Sequence, residues 1–439
     1  MKKIVKFGGS SLASAEQFKK VGDIIRAEES RKYVVPSAPG KRFSGDTKVT
    51  DMLYKCYDAA ENGERFVGLL DEIKARYDEI IAGLGLDLSL NDEFDVIRNN
   101  FTNKAGKDYA ASRGEYLNGI IMANYLGYDF IDAAEVVLFD ENGQFDAVKT
   151  NEVMSKRLES SERAVIPGFY GAMPDGTIKT FSRGGSDLTG SIVAKAAKVD
   201  MYENWTDVSG FMIADPRIVP NPKSIDAITY KELRELSYMG ATVLHEDAIF
   251  PIRKEGIPIN IRNTNAPEDK GTLIVEATCR HPKYTITGIA GKQGFASITI
   301  EKAMMNSEIG FCRRVLQVFE DNDISIEHMP SGIDTMTVFV HQSEFEEKEQ
   351  KVLAGIHQLV QPDSIELESD LALIAIVGRG MRAKRGTAGN AFSALAKAHV
   401  NLKMIDQGSS ELNIVIGVRN HDFENAIKAL YDTFVTSKL

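Results

Sequence analysis

The sequence predicts an α/β chain: an N-terminal domain on a mainly parallel sheet, then a duplicated βαββ region. Three observations carry this. Strand-like and helix-like segments alternate over about the first 280 of 439 residues, the rhythm of strands joined by crossover helices. Glycine-bearing turns follow several of those strands, where ligands bind in parallel sheets. The last 150 or so residues repeat themselves at a fixed offset.

Taken in order, KIVKF (3–7) is a strand. A helix follows from Ser14, which forms a capping box with Gln17, and Phe18, Val21 and Ile25 share one face. YVV (33–35) is the second strand. The pattern predicts helices around 50–61, 64–82 and 108–126, then strands at 164–167, 178–181, 202–205 and 257–262. The stretches 187–198, 229–239 and 246–255 read as helical. In the repeat, residues 310–329 align on 386–405 without a gap, an offset of 76. Leu316 falls on Phe392, Phe319 on Leu395, Ile324 on Val400, Ile326 on Leu402 and Met329 on Ile405. The same offset sets Ile298 and Ile300 on Ile374 and Ile376, and Val338 and Val340 on Ile414 and Ile416. Each copy reads strand, glycine turn, helix, strand, strand.

Composition narrows the function. A 43% hydrophobic content supplies sizeable cores, and a net charge of −11 gives no global basic surface for nucleic acid. No apolar run approaches the roughly 18 residues needed to cross a bilayer. Cys56, Cys279 and Cys312 are far apart and in no C-x-x-C pair, which suits a reducing cytoplasm. His245-Glu246 opens like H-E-x-x-H, but Ile249 fills the second histidine's place.

Four stretches carry chemistry. In KFGGSS (6–11), Lys6 can touch phosphate oxygens, and Gly8 and Gly9 free backbone amides to cradle them. SAPGKRFSGDTKVTD (37–51) is a polar loop with Ser37, Gly40 and Thr50 as candidate contacts, and Glu115 lies in the helix segment SRGEYLNG. In FSRGGSDLTG (181–190), Ser186 can cap a helix with Leu188, Ile192, Val193 and Ala196 on one face. Gly184 and Gly185 permit a tight bend, and Arg183 can grip a carboxylate or phosphate. WTDVSGFMIADPRIV (205–219) gathers Thr206, Asp207, Asp215 and Arg217 into a loop suited to a nucleotide, or into a capped connection.

With these motifs in order, together with SYMGATVLHEDAI and IPINIRNTNAPEDKGTLI, the chain resembles the aspartokinases of the amino acid kinase family over nearly its whole length. The resemblance implies a three-layer αβα catalytic domain (1–282) and two ACT domains (283–365 and 366–439), in a monofunctional, cytoplasmic enzyme. It implies phosphoryl transfer from ATP, with Mg2+, to the β-carboxylate of L-aspartate. Lys6 would neutralise the transferring group, with Gly8 and Gly9 donating N–H bonds and Asp187 nearby. Thr50 and Glu115 would contact aspartate, Glu115 through its ammonium, and Arg183 would clamp its α-carboxylate beside Ser186 and Asp187. Thr206, Asp207, Met212 and Arg217 would lie along ATP.

The chain departs from the family pattern in places. Ser10-Ser11 replaces Thr-Ser, and a longer second loop leaves Thr50 and Thr47 both open as the substrate contact. Thr242 stands where some members carry lysine, and Glu246 replaces proline. The competing readings are a sister kinase of another carboxylate or carbamate, and a non-catalytic ACT-type sensor. For regulation, Met305, Gly310, Phe311, Glu327 and Ser331 in the first ACT copy form the candidate effector site. Glu327 aligns on Lys403 and Ser331 on Gln407, so this copy carries an acidic group where its partner carries a basic one. The expected effector is lysine, then threonine, in a homodimer or homotetramer joined through the ACT domains.

Overall fold

The computed structural model describes all residues except 183, 242, 243, 245–247, 249, 279–282 and 437–439, and the backbone alone at 383. The chain divides into two compact units. One holds Met1–Phe211, Ser224–Tyr230 and Val243–Thr278; the other holds Met212–Lys223, Lys231–Thr242 and Cys279–Leu439.

In the first unit, β1 (Lys3–Phe7) is buried at every position, so it is covered on both faces as a central parallel strand must be. Ser14 caps α1 (Ala15–Arg26), accepting the Gln17 N–H at 3.4 Å, and Phe18, Val21 and Ile25 are buried as the pattern requires. After β2 (Arg31–Pro36) come α2 (Val49–Glu61), α3 (Val67–Leu84), α4 (Asn91–Thr102) and α5 (Lys107–Leu126). Gly85, at φ +67°, supplies the left-handed residue that stops α3. Phe18, Leu53, Ile73, Phe94 and Ile121 bring these five helices into one core. The chain continues through β3 (Asp129–Phe130), α6 (Ala147–Glu159), β4 (Ala164–Val165), a hairpin of β5 (Tyr170–Ala172) and β6 (Ile178–Thr180), α7 (Gly185–Ala196), β7 (Met201–Thr206), β8 (Ala227–Thr229), β9 (Ile259–Asn263) and β10 (Thr272–Val275). Eight strands form one sheet in the order β3-β4-β2-β1-β7-β9-β10-β8. Every pair is parallel except β9 with β10.

In this unit α4 and α6 were not read from the sequence. Helix α4 has no side-chain cap; Asp92 and Glu93 in its first turn and the buried Phe94, Ile97 and Phe101 are its signals. Helix α6 carries a cap as its signal, since Asp146 accepts the Lys149 N–H at 2.9 Å. Of the helix expected at 246–255, Phe250–Arg253 lies among the described residues.

The second unit contains α8 (Tyr230–Tyr238, from Lys231 on), β11 (Gly288–Glu301), α9 (Phe311–Glu320), β12 (Ile326–His328), β13 (Thr335–His341), α10 (Glu349–Val360), β14 (Ser364–Val377), α11 (Thr387–Lys397), β15 (Met404–Asp406), β16 (Asn413–Arg419) and α12 (Phe423–Tyr431). The antiparallel sheet runs β12-β13-β11-β14-β16-β15. This order is one copy of the repeat followed by its reverse, joined at the β11–β14 pair. Helices α9 and α11 start at 311 and 387, the 76-residue offset of the sequence. Each copy continues into one further helix, α10 or α12, beyond the expected βαββ.

Candidate active site

Parallel pairing brings the glycine-bearing loops together. Lys6 is in register with Val35 of β2 and Asn204 of β7, and Phe7 with Pro36 and Trp205. The loops KFGG, SAPG and WTD therefore leave neighbouring strands at one edge of the sheet, the carboxyl end. The Gly8 N–H donates to Trp205 O at 3.0 Å, and the Gly40 N–H to Gly9 O at 2.8 Å. A Cβ at Gly9 would stand 2.9 Å from Ala38 O, and one at Gly40 2.6 Å from Gly9 C, so two glycines are needed for this contact. Gly8 is open, with Trp205 O at 3.7 Å and Lys6 Nζ at 3.8 Å from the position of a Cβ.

Lys6 is 8% exposed, and its Nζ lies 2.6 Å from Asp187 Oδ1. That oxygen also accepts from Asn204 Nδ2 at 2.8 Å. Asp187 occupies the first turn of α7, where the helix dipole favours a negative charge. The helix does not start as expected. Ser186 makes no cap; it lies inside the first turn, 2.6 Å from where a Cβ at Gly168 would stand. Gly184, left-handed at φ +55°, takes the cap position instead, because a residue without Cβ can turn the chain there and start the helix at Gly185. Arg183, Thr242 and Glu246 lie outside the described residues.

Glu115 on α5 is 6% exposed, and its Oε2 is buried without a hydrogen-bond partner. Burial pushes its pKa up to about 8, against the opposing pull of the Ala38 N–H and the Lys6 charge. A buried, unpartnered carboxylate oxygen fits a cationic ligand group. One turn on, Asn118 donates to Ser37 O at 2.7 Å and leaves its own Oδ1 buried and unpartnered. Thr50 lies in the first turn of α2, with its Oγ1 3.8 Å from a Cβ placed at Gly114, next to Glu115. Thr47 is exposed, and its carbonyl accepts from Arg76. Arg113 stacks over Tyr109 and Tyr116, 4.6 and 4.4 Å from their ring centres.

Thr206 ends β7, and its Oγ1 lies 3.2 Å from Asp207 Oδ1. Met212 and Arg217 fall in the second unit, where Arg217 pairs with Asp215 at 2.6 Å. Sequence reading missed Asn204 and the fully buried Glu203, which accepts from Lys3 Nζ (2.9 Å), Arg31 Nε (2.8 Å) and Trp205 Nε1 (3.0 Å). A glutamate inside a core strand was the available signal. Among the described residues no group of three or more His, Cys, Asp or Glu stands ready for a metal ion, and no helix is long and apolar enough to cross a membrane.

In the second unit, the Met305 and Phe311 side chains are 5% and 2% exposed and fill the core of the first copy. Gly310 is left-handed at φ +80°, and the Phe311 N–H is already bonded to Glu308 O at 3.2 Å. Glu327 is not a solvated strand residue. Its carboxylate lies 3.2 Å from His341 Nε2 and accepts from the Tyr238 hydroxyl at 2.8 Å. Ser331 is exposed and bridges to Met336. Helix α8 is fastened by Glu232, which accepts from Thr287 Oγ1 (2.6 Å) and Arg379 Nη1 (2.8 Å), and by Glu235, which accepts from Asn413 at 2.6 Å.

A parallel sheet with an anion-ready glycine turn and a buried Lys6–Asp187 pair defines a class, and comparison gives it a name. Residues 1–263 match the amino acid kinase family, and residues 374–434 match the ACT domain. Aspartokinase 3 of Bacillus subtilis is 39% identical, over 100% of this chain and 99% of that protein. The crystal structure of Clostridium acetobutylicum aspartate kinase is 52% identical, with a TM-score of 0.91 over 99% of this chain and 100% of that one. E. coli aspartokinase III, solved with aspartate and ADP, shares the fold at 24% identity and a TM-score of 0.73 over both whole chains. The chain belongs to the amino acid kinase family and, within it, to the aspartokinases.

Proposed function

We propose that this aspartate kinase transfers the γ-phosphoryl group of MgATP to the β-carboxylate of L-aspartate, giving 4-phospho-L-aspartate, the first step toward lysine, threonine and methionine. The observation that carries this reading is the unpartnered, buried Glu115 oxygen on the same site as Lys6, a place for an amino acid's ammonium. A β-carboxylate, with a reference pKa near 3.9, is ionised at neutral pH and needs no general base. The task is to align two anions and spread positive charge over the phosphoryl oxygens. Lys6, steadied by Asp187, faces that charge beside the Gly9 amide; the Gly8 N–H, expected to donate as well, is held by Trp205 O at 3.0 Å. Thr50, Glu115, Arg183 and Ser186 hold aspartate. Thr206, Asp207, Met212 and Arg217 take the nucleotide, whose own phosphates supply most ligands for Mg2+.

In this reading residues 1–282 are catalytic, and ACT domains at 283–365 and 366–439 regulate them. Lysine binds the first ACT copy at Glu327 and Ser331, beside the Met305, Gly310 and Phe311 turn, in a cytoplasmic homodimer or homotetramer. Among the relatives, E. coli aspartokinase III has been solved with lysine and aspartate. The test is ADP release from MgATP with aspartate, glutamate or carbamate, with and without lysine and threonine. Turnover with aspartate alone supports the reading. Preference for glutamate or carbamate makes the protein a sister kinase, and no turnover makes it a sensor.

A further inference from the structure

We infer that Arg76, on α3, is a positioning residue that fixes the acceptor-binding loop against the glycine turn. The inference rests on the reading that Thr50 and Glu115 bind the acceptor.

Besides Arg76, the loop of residues 41–48 is tied to α3, among the described residues, only by the exposed Arg42, which donates to Glu79 at 3.2 Å, and its ends are closed by the Val49 N–H on Pro39 O at 3.1 Å. Every residue in it is exposed except the half-buried Asp46, so no apolar side chain anchors the chain between Gly40 and Val49. Beside it lies a cavity of about 470 Å³, with Thr47, Met52, Leu69 and Arg76 in its wall. Arg76 is 6% exposed. Its Nη1 donates to Thr47 O at 2.8 Å and lies 3.3 Å from Asp46 Oδ2, while Nη2 donates to Gly40 O at 2.9 Å. One planar guanidinium thus grips both ends of the loop. Asp46 is held from the other side by Arg42, whose Nε donates to it at 2.9 Å.

The grip reaches the site through backbone alone. Gly40 is the residue bonded to Gly9 O, and three residues past Thr47 the chain reaches Thr50. The next residue of α3, Tyr77, donates to Gly114 O at 2.8 Å, beside Glu115. Consecutive residues of one helix are therefore keyed to the glycine turn, the Thr50 segment and the Glu115 segment. Burying a guanidinium is costly unless its donors are matched. Lysine carries its donors on one nitrogen, so it cannot reproduce the two separate nitrogens with which the guanidinium reaches Thr47 O and Gly40 O.

The experiment measures KM for aspartate, KM for ATP, kcat and Tm for Arg76→Lys, Arg76→Ala and Thr50→Ala. Loosening a loop that positions substrate without touching it costs about 10- to 100-fold. Arg76→Lys should raise KM for aspartate by at least about tenfold while KM for ATP stays within about twofold. Millimolar guanidinium should restore part of the aspartate KM of Arg76→Ala but not that of Thr50→Ala. If Thr50→Ala raises the aspartate KM while folded Arg76 variants leave it unchanged, Arg76 has no positioning role. Arg76 is equally excluded from that role if both KM values, kcat and Tm decline together without rescue. If Thr50→Ala itself has no effect, the acceptor-site reading fails, and this inference with it.

Discussion

Glu327 accepts a hydrogen bond from the hydroxyl of Tyr238 at 2.8 Å, which ties a strand of the first repeat copy to a helix whose sequence lies within the kinase-family match. Lysine bound at Glu327 would compete for that carboxylate and so favour one conformation over another. Glu327→Ala should raise the lysine concentration for half-inhibition by about tenfold or more, roughly 1.4 kcal/mol of coupling. A lysine titration of initial rate checks this. An identical response in the variant places the effector elsewhere, and threonine is then titrated the same way.

Lys6 is held by Asp187 in a pair that is mostly shielded from water. Its charge matters most as the phosphoryl group leaves, so Lys6→Ala should lower kcat by about 100- to 1,000-fold with smaller changes in KM. Lys6→Arg should also be poor, because a flat guanidinium does not replace a compact ammonium. Steady-state rates at saturating aspartate and MgATP decide it; normal turnover would make Lys6 a turn residue.

Glu115 sets a pH dependence. Burial raises its pKa from 4.5 to about 8 in the fold, so between these values the native protein keeps a proton that the unfolded chain has lost. The stability this gives is full below the unfolded value and is lost as pH rises through the folded one. Tm of the ligand-free protein should therefore fall between about pH 5 and 9, and Glu115→Gln should reduce that fall. Over the same window kcat/KM for aspartate should rise, because the carboxylate form takes the ammonium, and the variant should flatten the rise.

The two glycines of the turn should part company. Gly9→Ala puts a methyl 2.9 Å from Ala38 O, against backbone that cannot move aside without disturbing Gly40, and should lower Tm by about 5 °C. Gly8→Ala meets only atoms at 3.7 Å and beyond, so it should fold normally. Its methyl, near Lys6 Nζ, should instead weaken nucleotide binding by about tenfold. Calorimetry and nucleotide titration separate the two.

Much of this architecture is local and could be read from the chain. The Ser14 cap, the face of α1, the strand at β1 and the 76-residue repeat depend on residues close in sequence, or on a pattern that copies itself. The same holds for the candidacy of Lys6, Gly8, Gly9 and Glu115, because glycine turns and a charged residue among small ones are visible in a string of letters. Where a start depended on backbone handedness, as at Gly184, the string misled: a serine two residues on offered an equally good cap.

What tertiary structure alone decided is which polar groups meet. Parallel pairing set Asn204 beside Lys6, and both meet Asp187, from the start of a distant helix. Burial, which no spacing encodes, left a Glu115 oxygen without a partner and distinguished Thr50, near Gly114, from Thr47, whose carbonyl is held by Arg76. Folding likewise filled the first-copy core with Met305 and Phe311 and gave Glu327 its tyrosine partner from 89 residues away. The sequence by itself determined most of the helices and central strands of the first unit, the repeat of the second, and the segments that are candidates for the chemistry. The electrostatics of the site came from the sheet order, because desolvation and charge pairing depend on distances that only the folded chain sets.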